Sequence, residues 1–456
     1  MTRARFRLDP AIDQAEAPVR RATRLDLDRI AAVPGEAPHP LQRAALDRPP
    51  APADVRAWWS ELPEPERRRL ERDAALLVGN LDGVPWPARV RANHATLGRI
   101  LAGEELGHLR HLGARSSRIS RDDARAARVR ERLGLLQSGP GFFDRGALPR
   151  FLLAFDPERS SLAEYLGPAI RDTDDPSNSP LADGVEALGV FVPGNDSDVL
   201  QFEGKGHTMS EPVKLANAAA GRTVAGMVVW QGGPFPHGLG VLRADPARLL
   251  AGRLARFVNA IPRAERVAVT AFGFSFGGAV VGLALAAGMR VDRVVHLASA
   301  GLGHGIRSLG DLPPSARVPH FALLAPGDVT VGPIQSLEAR LPVIGRIGHG
   351  ASPIGAAGVT RLETGWLDGA AASGPLLAGH MTMLERWGTT AKRNMAVALA
   401  GGEAELAAPR GALGRLAQRL GVPWSPARGD ARRTTPVPGP NAARPQTDRR
   451  RASEPD

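Results

Sequence analysis

The sequence predicts an α/β fold with a mainly parallel central sheet, preceded by a helical N-terminal subdomain. Three features predict it. Apolar residues recur at helical spacing from Ala53 to about Gln137. After Gly139 and Pro140, short β-branched or apolar runs alternate with helical segments. The uncharged stretch from Val267 to Met289 is broken in its middle by GFSFGG. Alternation of that kind builds a parallel sheet with crossover helices.

Taken in order, residues 1–52 mix Arg, Asp and Pro with little periodicity and are expected to form a partly ordered arm, with one short helix near Arg24 to Ala32. Residues 53–140 form the helical subdomain, in the runs DVRAWWSEL, PEPERRRLERDAALL, PARVRANHATLGRILAGEELGHLRHL and SRDDARAARVRERLGLLQ. Ser120 ahead of Asp122 and Asp123 resembles an N-cap followed by first-turn acids, which favour the positive end of a helix. Trp58 and Trp59 read as packing anchors, and the region as a cap on the next domain, by contact or over its site.

Residues 141–408 form the α/β domain. Its strand candidates are Phe151 to Phe155, Ala187 to Val192, Thr223 to Trp230, Val267 to Phe272, Val291 to Ala298, His320 to Ala325 and Val359 to Glu363. Helices are expected over Glu211 to Ala220, Pro246 to Ala260, Phe276 to Ala287, Ile334 to Leu341 and His380 to Leu399. Residues 409–456 are Pro- and Arg-rich with almost nothing apolar to bury. A largely disordered tail is expected there, with one short helix in GALGRLAQRL.

Charge and composition narrow the function classes. The chain has 456 residues, 43% of them hydrophobic, and a formal charge of +11. From Pro409 to Asp456 there are ten Arg against four acidic residues, so more than half of that excess sits in the tail. Lys occurs only at 205, 214 and 392, and there is one Tyr. The aromatic interleaving of a nucleic-acid binder is missing, so specific nucleic-acid binding is not expected. With no Cys, disulfides, thiolate metal sites and a Cys nucleophile are excluded. The basic N-terminus is not followed by an apolar h-region, so the expected location is the cytoplasm. Val267 to Met289 is long enough to cross a bilayer, but a buried strand, a Gly-rich turn and a buried helix account for it without a membrane.

The chemistry centres on Gly273-Phe274-Ser275-Phe276-Gly277. A G-x-S-x-G sequence alone is a weak signal; between a buried strand and a helix it becomes a nucleophile elbow, the feature of an α/β-hydrolase fold. Gly273 and Gly277 permit the tight turn that lifts the Ser275 hydroxyl above the sheet. The Phe276 N–H, at the first turn of the helix, is then free to face a developing oxyanion. A serine needs a base held by an acid, and in this fold they follow in the order Ser, acid, His. Asp328, in PGDVTVG just past the strand that starts at His320, is the expected acid. His380 after the last strand is the expected base, with His349 in a Gly-rich loop as the alternative. The second oxyanion donor is expected from the Asn195 N–H in VPGNDSD, where Gly194 lets the backbone bend toward the serine. Asp196 and Asp198 in that loop lack the accompanying His or third carboxylate that a metal would need. His296 reads as a core or sheet-facing residue, and no pattern supports His207, His237, His304 or His320.

WWSELPEPERRRLERDAALLVGNLDGVPWPARVRAN, FLLAFDPE, VFVPG, GFSFGGAVVGLA, LASAGLG, ALLAPGD and the final GH before a helix together resemble the α/β-hydrolases widespread in actinobacteria that were long catalogued as a domain of unknown function. The resemblance spans roughly residues 51 to 403. Family members carry GHSYG at the elbow, so Ser275 matches while Phe274 and Phe276 replace His and Tyr. The resemblance implies that Asp328 falls on the family's PGD acid and His380 on its GHS base, with HMTML departing from the usual polar and aromatic residues after that His.

The expected function is acyl transfer to water from an ester or amide by a Ser-His-Asp triad, carboxylesterase- or lipase-like, with a small-molecule or lipid-like acyl substrate. That chemistry requires no cofactor and no metal. The alternatives are a catalytically silent fold serving as a binding module, and an acyltransferase using the same triad.

Overall fold

The structure is a computed structural model, which describes residues 21–32, 40–102, 131, 133–134, 148–197, 199, 202–325, 328, 331, 335, 338–341, 345–364, 380–381, 384, 389–407 and 433–440. The helix expected in GALGRLAQRL and most of SRDDARAARVRERLGLLQ lie outside the described residues.

Among the described residues six helices come first: α1 (Arg24–Ala31), α2 (Pro40–Asp47), α3 (Pro52–Glu61), α4 (Glu64–Asp73), α5 (Ala75–Asn80) and α6 (Trp86–Ala102). They enclose a core of their own around Trp58 and Trp59, both buried and packed edge to face with ring centroids 5.9 Å apart. This unit seals the first edge of the central sheet. The Asn80 side chain bonds both the N–H and the C=O of Phe155 at 2.9 Å, and Asn93 Nδ2 donates to Leu152 O at 3.0 Å. Side chains here take the place of a neighbouring strand, so the edge is not open to pairing with another chain.

The strands are β1 (Arg150–Asp156), β2 (Ser161–Leu166), β3 (Ala187–Val192), β4 (Ala225–Gly232), β5 (Ala268–Phe274), β6 (Arg293–Leu297), β7 (His320–Leu323), β8 (Ala339–Leu341), β9 (Gly345–Ile347), β10 (Val359–Arg361), β11 (Gly402–Glu405) and β12 (Thr434–Val437). Eight of them form one sheet in the order β1-β2-β4-β3-β5-β6-β7-β10. Only the pairings of β2 with β1 and β4 are antiparallel; the others are parallel. Every residue of β3, β4 and β5 is buried, as covering both faces demands.

Alternate residues feed two cores. Phe191, Met227 and Phe272 face the side covered by α7 (Phe202–Ala220) and α10 (Thr390–Ala400). Val190, Val228 and Ala271 face α8 (Asp245–Ala260) and α9 (Phe276–Ala286). This period of two is what puts one helical layer on each face. The uncharged run from Val267 to Met289 is β5, a turn and α9, and no described helix is long and apolar enough to cross a membrane.

Four expectations need correction. Strand β2 is absent from the strand candidates; SLAEYL is rich in helix formers, and pairing on both sides with the part-buried Arg150–Glu164 ion pair, 2.7 Å, overrides that propensity. Residues 339–341 form β8, not the end of a helix. The single helix expected over His380 to Leu399 is interrupted: Thr389 is non-helical, and its Oγ1 accepts from the Lys392 N–H at 3.3 Å, capping α10. Finally, the disorder expected of residues 409–456 does not extend to Thr434–Val437, where β12 pairs with β11 and Val437 joins the core. Backbone hydrogen bonds and one buried side chain suffice there.

Candidate active site

Strand β5 ends at Phe274 and α9 begins at Phe276, which leaves Ser275 alone to make the turn. It does so at φ 53° and ψ −122°, a conformation that costs an L-residue on the order of 1–3 kcal/mol unless its surroundings enforce it. The surroundings are specific. Ser275 N donates to Leu297 O at 2.9 Å, and Ser275 O accepts from the N–H groups of Gly278 at 3.0 Å and Ala300 at 2.9 Å. Space enforces it too: a Cβ on Gly277 would overlap the carbonyl oxygens of Val192 and Pro193, and one on Gly273 would stand 2.6 Å from Gly278 Cα. Both glycines thus let α9 start directly against the neighbouring backbone. As the first residue of α9, Phe276 has an N–H with no intrahelical acceptor.

Asp328 follows the carboxyl end of β7, and His380 lies in the short helical stretch ahead of α10. Although 52 residues apart, they meet: His380 Nδ1 and Asp328 Oδ2 are 2.7 Å apart. The Asp328 side chain is fully buried and that of His380 is 10% exposed. With Nδ1 tied to a carboxylate, the proton resides there and Nε2 is left as an acceptor. Nε2 is buried and has no hydrogen-bond partner among the described residues, an arrangement that costs free energy unless function retains it. The His380 ring packs on Phe274, centroids 4.9 Å apart, one residue from Ser275. No hydrogen bond joins Ser275 Oγ to His380 among the described residues.

The loop after β3 approaches from the other side. A Cβ on Gly194 would come within 3.0 Å of Ser275 Cβ, so the backbone leading into Asn195 lies against the serine. Asn195 itself is half-buried, with Nδ2 donating to Asp196 Oδ2 at 2.7 Å. Asp196 fixes the loop. It adopts φ 57°, and its Oδ1 bonds His237 Nδ1 at 3.0 Å and the Gly238 N–H at 3.3 Å. Ser197 Oγ donates back to Gly194 O at 2.5 Å. The part played by Asp196, Ser197 and His237 was not readable in the sequence, since His237 lies 41 residues beyond its partner. Asp198 lies outside the described residues.

His349, His296 and His320 have partners of their own. His349 is fully buried; its ring meets Phe276 edge-on at 5.4 Å, its Nε2 bonds Val241 O at 2.5 Å, and burial lowers its pKa. With Nε2 donating to that carbonyl, Nδ1 keeps the lone pair and is buried with no partner among the described residues; what His349 lacks is a carboxylate bonded to its ring, which Asp328 supplies to His380. His296 and His320 stack across β6 and β7, with Nε2 and Nδ1 3.1 Å apart, and burial drives the pKa of each down. No group of three metal-ligating side chains occurs among the described residues.

Residues 181–312 match the model of an alpha/beta hydrolase family. Among solved structures, the chain is similar to a dienelactone hydrolase from Anabaena variabilis, at 15% identity over 38% of this chain and 71% of that one, with a TM-score of 0.25. It is also similar to acetyl xylan esterase 1 from a Thermoanaerobacterium species, at 20% identity over 34% of this chain and 50% of that one, with a TM-score of 0.21. No curated protein matches the chain. The family match spans β3 to the loop beyond β6 and takes in the elbow; with the mostly parallel sheet and helices on both faces, the fold is that of an α/β-hydrolase.

Proposed function

We propose that this α/β-hydrolase fold carries a serine hydrolase that cleaves an ester or amide, carboxylesterase- or lipase-like, with Ser275 as nucleophile, His380 as base and Asp328 as the acid that orients it. The observation that carries the reading is the buried Asp328–His380 pair, whose imidazole packs on the residue preceding Ser275 and keeps Nε2 without a hydrogen-bond partner among the described residues.

In the mechanism that follows, Ser275 Oγ attacks the substrate carbonyl carbon while its proton passes to His380 Nε2. The charge that develops on the carbonyl oxygen is held by the N–H groups of Phe276 and Asn195. His380 gives the proton to the leaving group, and the C–O or C–N bond breaks to leave an acyl-Ser275 ester. Water, deprotonated by His380, attacks that ester; the acid product departs and Ser275 recovers its proton. Asp328 stays ionised throughout and stabilises the imidazolium. The Ser275–His380 hydrogen bond is made in the substrate complex, since catalytic hydrogen bonds are often long before substrate binds.

The test is hydrolysis of a series of p-nitrophenyl esters of increasing acyl length. Ser275→Ala and His380→Ala should each lower kcat by a factor on the order of 10³ or more, with melting temperatures near wild type. Equal hydrolysis by wild type and both variants would overturn the reading. The missing Ser275–His380 hydrogen bond is the one observation that favours a silent binding module, and a folded wild type inactive on the whole series would turn the assignment that way.

A further inference from the structure

None of Ser275, Asp328 and His380 lines the cavity of about 370 Å³ at the seam between the N-terminal helices and the sheet. Six arginines reach it: Arg21, Arg48, Arg89, Arg159, Arg253 and Arg256. Among the described residues only three carboxylates do: Asp47, Asp82 and Asp156. The pairing shows where the surplus lies. Asp47 accepts from Arg159 at 2.6 Å, and Asp156 from the neighbouring Arg43 at 2.6 Å. Asp82 serves two cations at once, Arg89 Nη1 at 3.1 Å and Arg256 Nε at 3.2 Å. Arg256 Nη1 donates to Pro49 O at 3.4 Å, but its Nη2 is buried with no partner among the described residues. Arg253, one turn earlier on α8, makes a single hydrogen bond, from Nη1 to Gly232 O at 2.9 Å, and pairs with no carboxylate among the described residues.

Residues three apart on a helix share a face, and Arg253 and Arg256 both border the cavity from α8. Trp230 and Phe257 supply an aromatic wall, their ring centroids 6.4 Å apart. Burial and the nearby Arg159 lower the pKa of Arg253, and burial with Arg21 and Arg89 nearby lowers that of Arg256, despite the pull of Asp82. Burial is the larger cause in both, with Asp47 and Asp156 pulling against it at Arg253, so these are cations held partly out of water.

We propose that this cavity binds a small molecule in which a phosphate monoester is joined to an aromatic or apolar body, with Arg253 and Arg256 holding the phosphate and Trp230 and Phe257 lining the space for the body. A dianion matches the surplus better than a single carboxylate does, and a guanidinium pair suits its bidentate geometry. The volume lies in the range of small-molecule sites. Asp156, Ser161 and Gly232 all border the cavity, which puts it at the carboxyl end of β4 and hence on the same end of the sheet as Ser275. Two strand spacings separate β4 from β5, about 10 Å across the sheet. A ligand here would therefore act beside the serine, as an effector or as the distant part of a larger substrate, without touching the reacting atoms.

The test is calorimetric titration of the full chain with phenyl phosphate, inorganic phosphate and phenylmalonate. Phenyl phosphate should bind at least tenfold more tightly than inorganic phosphate. Arg253→Met should weaken it at least tenfold with an unchanged melting temperature, because Arg253 contributes only one hydrogen bond to the fold; Arg253→Lys should recover part of the loss. Ser275→Ala should bind phenyl phosphate like wild type, which separates this site from the proposed catalytic one. The proposal is overturned if wild type fails to bind phenyl phosphate, if Arg253→Met binds it equally well, if Ser275→Ala abolishes binding, or if phenylmalonate binds more tightly.

Discussion

Ser275 is where local rules are broken, and the break is informative. A non-glycine residue at φ 53° and ψ −122° is strained, and three backbone hydrogen bonds with close-packed glycines keep it there. Strain of this kind is relieved by glycine, which accepts positive φ at no steric cost. Ser275→Gly should therefore raise stability by about 1 kcal/mol, strain relief exceeding glycine's extra unfolded-state entropy, while removing all chemistry that needs the hydroxyl. Thermal denaturation beside Ser275→Ala reads this directly: a lower melting temperature for the glycine variant than for the alanine one would show that the turn is not strained. The serine and its glycines were legible in the sequence because a tight turn admits few residue types. Asp328 and His380 were legible only as positions after strands. Their 2.7 Å contact is a tertiary fact, as is the tie from Asp196 to His237, and no local signal announces either.

Elements were legible where burial and periodicity agree. The fully buried β3, β4 and β5 and the long helices α8 and α9 follow from uninterrupted or regularly spaced apolar residues. Strand β2 did not, because its composition favours helix and only its neighbours make it a strand. The start of α10 could have been found from Thr389, a capping residue in Gly-Thr-Thr. That helix also carries Lys392, 1% exposed, with Nζ donating to Thr208 O at 2.6 Å and 3.8 Å from Glu211. Burial, partly opposed by Glu211, lowers its pKa to about 8. The unfolded chain, with an ordinary lysine pKa of ~10.4, binds a proton between these values that the folded chain has released, so stability rises with pH across that window. Wild type should gain on the order of 2–3 kcal/mol relative to Lys392→Met from pH 8 to pH 10.5. Urea denaturation of both at the two ends of the range checks this; a constant difference would mean that Lys392 titrates normally.

At the scale of the molecule, the sheet brings its functional features to one end. β3, β5 and β7 are parallel, so their carboxyl ends deliver the Gly194 loop, Ser275 and Asp328 to a common edge, the place where parallel sheets collect ligands and catalytic groups. The N-terminal helices bond to the outer side of β1, four strand spacings from β5, which gives them an edge-sealing part in the fold. Their packing was suggested by Trp58 and Trp59, but where they dock depends on Asn80 and Asn93 meeting backbone groups of β1, which sequence patterns do not record. The arginine-lined seam was equally hidden, because its members are spread from residue 21 to residue 256. The central claim remains that Ser275 is an activated nucleophile, and it is tested most directly by reaction with a fluorophosphonate followed by mass spectrometry of the labelled peptide. The account predicts one adduct, on Ser275, strongly reduced in His380→Ala and absent from Ser275→Ala; a folded wild type that remains unlabelled, or carries its label on another residue, would contradict it.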